Sequence, residues 1–348
     1  MGRARPNIYE VADRAEVSIA TVSRVQRGSS AVRAETRRRV LAAIKELGYR
    51  PSVAGRALAE RRHAAVAVVF PTLSGPYYAE VIAGCEDATV ERGESLLILG
   101  THRRPRVDDL VFDLAHRVDG LVVMGQTVDD AVLAALARDA VPLVLLGRPS
   151  VAEAPSVRSA NAAPAVELTT HLIAEHGFER LAFVGDVDSA PDVAERWEGF
   201  VEAHRRARLE PPPRPVSAGF READGFAVAR AAFASGANRP QALVCANDEL
   251  ALGACRAARS LGLAVPDDVA VTGWDDVSLA RLVPPGLTTV RQPMRELGAA
   301  AARLLFERID TAAAQPASLM LPSELVIRSS CGCASEQDTQ FTTDEGRG

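Results

Sequence analysis

The chain has 348 residues, 47% of them hydrophobic and 24% charged, with a net charge of −5; this suits a small module joined to a larger α/β body and excludes wholesale disorder. No run reaches the ~18 apolar residues of a spanning helix and the N-terminus lacks the apolar stretch of a secretory signal, so a cytoplasmic protein with no membrane partner is expected. Charge is divided unevenly: residues 1–62 hold fourteen Lys/Arg and six Asp/Glu, a net of +8, which leaves −13 on the rest, the pattern of a protein that meets a polyanion at one end.

Asn7-Ile8-Tyr9-Glu10 has the form of a capping box and predicts a helix from Ile8, with Ile8, Val11, Ala12 and Ala15 as its apolar stripe. Ser18 caps a second helix, Ile19 to about Arg27, with Val22 and Val25 inward, Ile19, Ala20, Thr21, Ser23 and Arg24 outward, and Gly28 as its stop. A third helix is predicted from Ala34 to Leu47, with Val40, Ile44 and Leu47 inward and Gly48 as its stop. Small, hydroxyl-bearing and Arg side chains on the outer face of the second helix suit an element lying in the DNA major groove.

The segments IYEVADRAEVSIATVSRVQRG and VRAETRRRVLAAIKELGYRPS closely resemble the head of the LacI/GalR family, nearly position by position from Ile8 to Leu58. The resemblance implies a helix-turn-helix domain over 1–50, with Ile19, Ala20 and Arg24 at base edges, Tyr9, Thr21 and Ser23 on phosphates or sugars, and a further phosphate contact from Arg27. It also implies a hinge over 51–62, with Ser52, Gly55 and Leu58 on DNA. There SVAGRALAERR is too short to be a stable helix alone, and Leu58 matches the leucine that wedges into the minor groove when two subunits sit side by side. Three departures stand out in the head. Glu16 replaces the usual turn glycine, Arg27 replaces Asn, and Arg33 replaces the Ser or Thr cap of the third helix. In the hinge, Gly55 lowers helix propensity by about 1 kcal/mol relative to Ala.

From Ala64 the pattern changes to short apolar runs, AAVAVVF, SLLIL, GLVVM, PLVLL, RLAFV, ALVCA and VAVTGW, separated by helix-length segments. Such runs predict parallel strands buried on both faces, and seven of them favour two sheets. The expected architecture is an all-α helix-turn-helix head and, over 63–330, an α/β body similar to the periplasmic-binding-protein type I fold. Its two doubly wound parallel-sheet lobes would be linked by crossovers near Asn161, Val290 and Leu321. Strand ends nominate Tyr77, Tyr78, Arg148, Asn161, Arg196, Phe220, Asn247 and Asp275 around a cleft that binds a small effector. The resemblance singles out Arg196 and Asp275, while Asn247 could equally cap a helix. Arg and Asp facing each other across aromatic walls suit a carbohydrate or, alternatively, a nucleoside or nucleobase. Ala160 departs from the family's usual aspartate before the asparagine.

Cys85, Cys245, Cys255, Cys331 and Cys333 are odd in number and scattered, so no disulfide framework is expected. Cys331-Gly-Cys333 has no second Cys/His pair at zinc spacing in the sequence, and neither a metal nor a cofactor is expected. No GxGxxG follows the first strand, no P-loop occurs and no nucleophile has a plausible neighbouring base, so no catalytic residue is assigned and an enzyme is not expected. An exported sugar-binding protein would fit the body but not the helical head. The polar tail, 331–348, has no leucine heptad, and a homodimer on a pseudo-palindromic double-stranded DNA operator is the expected unit.

Overall fold

The computed structural model describes residues 6–26, 28–50, 62–311 and 317–334. Arg27, Ser52, Gly55 and Leu58 therefore lie outside the described residues, as does the tail beyond Ala334. The chain divides into two compact units, 1–64 and 65–348.

In the first unit, α1 (Ile8–Ala15), α2 (Ile19–Gln26) and α3 (Ala34–Leu47) enclose a core of Val11, Ala12, Ala15, Val22, Val25, Val40 and Ala43. The capping box of α1 is formed: the Asn7 side chain accepts from the Tyr9 and Glu10 amides, and Glu10 reaches back to the Asn7 amide. Ser18 Oγ accepts from the Thr21 amide at 3.3 Å and starts α2. The turn between α1 and α2 places Glu16 at φ 52°, a left-handed position where a glycine would be free of the Cβ penalty. At α3 the Arg33 side chain makes no capping hydrogen bond, and Ile44 and Leu47 are only half-buried.

The second unit contains two lobes. One sheet carries six parallel strands in the order β10-β5-β4-β3-β1-β2: β1 (Ala65–Phe70), β2 (Ser95–Gly100), β3 (Leu121–Met124), β4 (Leu143–Leu146), β5 (Ser156–Ser159) and β10 (Leu319–Leu321). The two-residue period of β1 sends Val66, Val68 and Phe70 toward α4 (Pro76–Glu91) and α11 (Met294–Asp310), and Ala65, Ala67 and Val69 toward α5 (Val107–Ala115) and α6 (Asp130–Arg138). Helices α4 and α11 cross at glycines. A Cβ on Gly84 would stand 1.9 Å from Arg295 O, and one on Gly298 would stand 1.9 Å from Val81 O. The other lobe has the parallel sheet β6-β7-β8, built from Leu181–Val184, Ala242–Cys245 and Ala270–Thr272. It is flanked by α7 (Ala162–His176), α8 (Pro191–Ala207), α9 (Glu222–Phe233) and α10 (Asp248–Ser260). A small antiparallel pair, β9 (Thr289–Arg291) with β11 (Glu324–Val326), belongs to this lobe. The chain passes between lobes at β5–α7, β9–α11 and β10–β11, next to the three positions expected.

Two readings are corrected, and four strands are added. SLLIL is an edge strand, not one buried on both faces, with Ile98 45% exposed. The VSAG segment, expected as the strand whose end nominates Phe220, contributes a single bridge, Val216 to Val184, and no strand. β5 and β9–β11 were not legible as apolar runs, because each is only three or four residues long and β5 reads Ser-Val-Arg-Ser. The C-terminal segment also brings Cys331 and Cys333 against His171 and His176, so the second Cys/His pair absent from the local sequence is present in space.

Candidate functional site

The head presents a polar and apolar surface on the short helices α1 and α2, whose N-termini are capped by Asn7 and Ser18. Tyr9 is 64% and Ile19 38% exposed, and Ala20 and Arg24 are exposed beside them. Thr21 and Ser23 are half-buried, and the Thr21 hydroxyl lies 3.0 Å from Ser18 Oγ. The burial of Val22 and Val25 fixes which face of α2 turns outward, and Ile19, Ala20 and Arg24 stand exposed on it. Arg38 and Arg39 of α3 are exposed as well, which keeps the head's positive charge in solvent.

Between the two lobes of the body lies a cavity of about 700 Å³. Tyr77 and Tyr78, at the start of α4, line it from the first lobe; Asp192, Arg196, Phe220, Asn247 and Asp275 line it from the second. The tyrosine rings meet edge-on, centroids 5.5 Å apart. Arg196 is buried, its guanidinium 4.5 Å above the Trp274 ring; its Nε donates to Asn161 Oδ1 at 2.9 Å and its Nη1 to Ala246 O at 2.6 Å. The plane of the guanidinium is thus set before any ligand arrives. Asp275 sits at φ 116°, anchored by its amide to Val290 O at 2.8 Å and by Gln292 Nε2, which donates to Asp275 Oδ1 at 2.6 Å. Because Gln292 belongs to a crossover, the cleft aspartate is tied to a segment that passes between lobes.

Burial pushes the Asp275 carboxyl up to about 7 against the opposing pull of Arg196 and Gln292, with Glu249 and Asp192 adding to the rise. Asp192 is likewise pushed up by burial, to about 6, although Arg196 and Arg158 favour its charged form. Its Oδ1 is buried and has no hydrogen-bond partner among the described residues. Tyr77 is held well above the usual phenol range, first by burial and then by Asp192 and Asp275 across the cleft. The site therefore offers a fixed cation, neutral phenols, a carboxyl held by Gln292 and, on Asp192, a carboxyl oxygen with no partner among the described residues.

Not every nominated residue faces the cavity. Arg148 is turned away: its Nη1 donates to Gly125 O at 3.2 Å and its Nη2 pairs with Asp130 at 2.5 Å, so it braces the loop after β3. Asn161 is buried behind the cavity wall, positioning Arg196. Asn247 both lines the cavity and caps α10, accepting from the Leu250 amide at 2.9 Å while donating to Phe220 O at 2.9 Å. Asp192, Glu249 and Gln292 line the cavity and were not singled out in the sequence. Asp192 follows the proline that opens α8, one turn before Arg196, and that spacing was the available signal.

A helix-turn-helix head and a two-lobed periplasmic-binding-protein-like body with a cleft between lobes define a ligand-responsive DNA-binding protein. Residues 7–52 match the family described as bacterial regulatory proteins, lacI family, and residues 169–331 match a periplasmic binding protein-like domain. The chain is 33% identical over 327 residues to the HTH-type transcriptional repressor PurR of Pasteurella multocida, covering 93% of this chain and 98% of that one. It is 31% identical over 334 residues to catabolite control protein A of Priestia megaterium, with coverages of 93% and 98%. Among solved structures, a lac repressor dimer bound to operator and the anti-inducer ONPF aligns with TM-score 0.83 at 28% identity, covering 94% of this chain and 99% of that one. The chain belongs to the LacI family of DNA-binding transcriptional repressors.

Proposed function

We propose that this repressor acts as a homodimer, reads a pseudo-palindromic operator through Ile19, Ala20 and Arg24, and is controlled by a neutral polyhydroxylated effector bound between the lobes. The observation that carries the effector reading is the pairing of two carboxylates, the half-buried Asp192 and the buried Asp275, with the fixed Arg196 guanidinium in a cavity that Tyr77 lines from the other lobe. Hydroxyls donate to carboxylates and accept from guanidinium and phenol, so a sugar satisfies all of these groups at once. Acidic side chains at the wall disfavour a phosphorylated ligand. Asp192 takes the role of hydroxyl acceptor that Ala160 leaves vacant. One related structure, 32% identical over 94% of this chain with TM-score 0.71, is a transcriptional regulator CelR–cellobiose complex. The chain is read as a regulator without catalytic activity, acting in the cytoplasm.

Thermal-shift measurements on the full-length protein with neutral sugars, sugar phosphates, nucleosides and nucleobases test the class, since a ligand at 100 times its dissociation constant adds about 2.7 kcal/mol. Stabilisation by a neutral sugar is expected. Stabilisation by a nucleobase alone would favour the second reading, in which Tyr77 and Phe220 supply stacking surfaces to a flat ring.

A further inference from the structure

The C-terminal end of α7 and the last described turn of the chain converge on the far side of the second lobe's core. His171 and His176 lie on the final turns of α7, and Gly177, at φ 64°, ends the helix immediately after His176. Opposite them, the short 3-10 turn Ser329–Cys331 is followed by Gly332 at φ 110° and then Cys333. The positive φ at Gly332 turns both sulfurs toward the imidazoles, and a Cβ there would come within 3.2 Å of His176 Nδ1. One ligand atom from each of His171, His176, Cys331 and Cys333 falls within 4.8 Å of all the others.

The separations have a specific chemistry. His171 Nε2 is 3.3 Å from His176 Nε2, 3.7 Å from Cys331 Sγ and 3.5 Å from Cys333 Sγ, while Cys333 Sγ is 3.4 Å from His176 Nε2. With Zn–N near 2.0–2.1 Å and Zn–S near 2.3 Å, a tetrahedral Cys2His2 zinc site has N···N edges of about 3.3 Å and N···S edges of about 3.6 Å. Hydrogen bonding alone accounts poorly for the cluster. A ring nitrogen carries one in-plane proton or one lone pair, yet His171 Nε2 faces three polar neighbours. A cation at the centre satisfies all four groups simultaneously. Two thiolates neutralise a divalent ion, which suits a site where Cys331 is buried and the other three ligands are half-buried. The Thr288 hydroxyl, 3.1 Å from Cys331 Sγ, is placed to donate to that thiolate, while Arg328 O at 3.2 Å accepts the thiol proton in the metal-free state.

We propose that His171, His176, Cys331 and Cys333 form a closed, four-ligand structural zinc site that fastens the C-terminal segment to α7. This segment supports the cleft. Arg328 Nη2 pairs with Asp276 at 2.6 Å, next to the cleft residue Asp275, and Ser330 Oγ donates to Val271 O at 2.6 Å. With all four positions taken by protein, the ion's role is structural and not catalytic.

The test uses the full chain, purified under reducing conditions, with metal content measured and zinc titrated against a chromophoric chelator. One zinc per chain is expected, and cobalt substitution should give thiolate charge-transfer bands with tetrahedral visible bands. Cys333→Ser and His176→Ala should each lose stoichiometric binding, while Cys85→Ser and Cys255→Ser retain it. Chelation should lower the Tm of the wild type and leave that of Cys333→Ser unchanged. If cobalt gives an octahedral spectrum, or the reduced wild type takes up no zinc against the chelator, the site is not a metal centre. The same holds if Cys333→Ser binds as tightly as wild type, or if mass spectrometry finds a Cys331–Cys333 disulfide that reductant and zinc together do not reverse.

Discussion

The head and the cleft use side chains in opposite ways. In the head, the residues nominated for DNA stand on a face fixed by the burial of Val22 and Val25 behind it, and Tyr9, Ile19 and Arg24 project into solvent. In the cleft, Arg196, Asn161, Asp275 and Gln292 are buried and bonded to one another or to backbone before any ligand is present. Exposed reading groups are separable from the fold, whereas preorganised binding groups are part of it. Altering the exposed side chains on the outer face of α2 should therefore change recognition alone. Altering the cleft should change recognition and stability together, and the side chain chosen decides the balance.

The largest effect is expected at Asp275. Asp275→Ala removes a hydroxyl acceptor and one of the two carboxylates near Arg196, lowering effector affinity by about 3 kcal/mol, roughly a hundredfold. Operator affinity without effector should stay within a few-fold of wild type. Calorimetric titration of effector alongside an operator-binding assay measures both, and wild-type effector affinity in this variant would remove Asp275 from the site. Arg24→Ala should weaken operator binding by about 1–3 kcal/mol and relax preference at one position of each half-site, with the thermal transition of the head unchanged. Selection from randomised operators reads the preference, and a destabilised head would break the contrast drawn above.

A smaller effect separates the regions by pH. Asp192 and Asp275 titrate at about 6 and about 7 in the folded chain, against about 3.9 when unfolded. Raised carboxyls make the folded state bind more protons, so their contribution is fully present below about pH 4 and is lost as pH rises through 6 to 7. Thermal melts of the ligand-free protein between pH 5 and 8 should show stability falling by up to about 4 kcal/mol, and Asp275→Asn should remove the larger part of that fall. A wild-type slope in the variant would mean that Asp275 is not the group responsible. The smallest effect lies in the head: Glu16→Gly relieves the left-handed position at φ 52° and should raise head stability by about 0.5–1 kcal/mol, net of the greater freedom of glycine when unfolded. Chemical denaturation of the two forms side by side gives the difference, and no gain would mean that the turn carries no strain.

The sequence by itself determined what depends on neighbours along the chain. The capping box at Asn7 and Glu10 and the helix α3 from Ala34 to Leu47 are local, and each was readable from spacing and residue type, whereas the turn at Glu16 was marked only through the family's usual glycine. The long apolar strands were equally legible because burial on both faces leaves an unbroken run. Arg196 and Asp275 came through resemblance to a family, and the structure shows both on one cavity wall. Only the tertiary structure decided the rest. It turned Arg148 to the loop after β3, used Asn247 as both cap and wall, and brought Asp192 to the cavity wall. It also closed Cys331 and Cys333 onto two histidines more than 150 residues earlier. These are contacts across sheets and crossovers, set by how lobes pack, and no periodicity in the chain encodes which side chain a packed neighbour will meet.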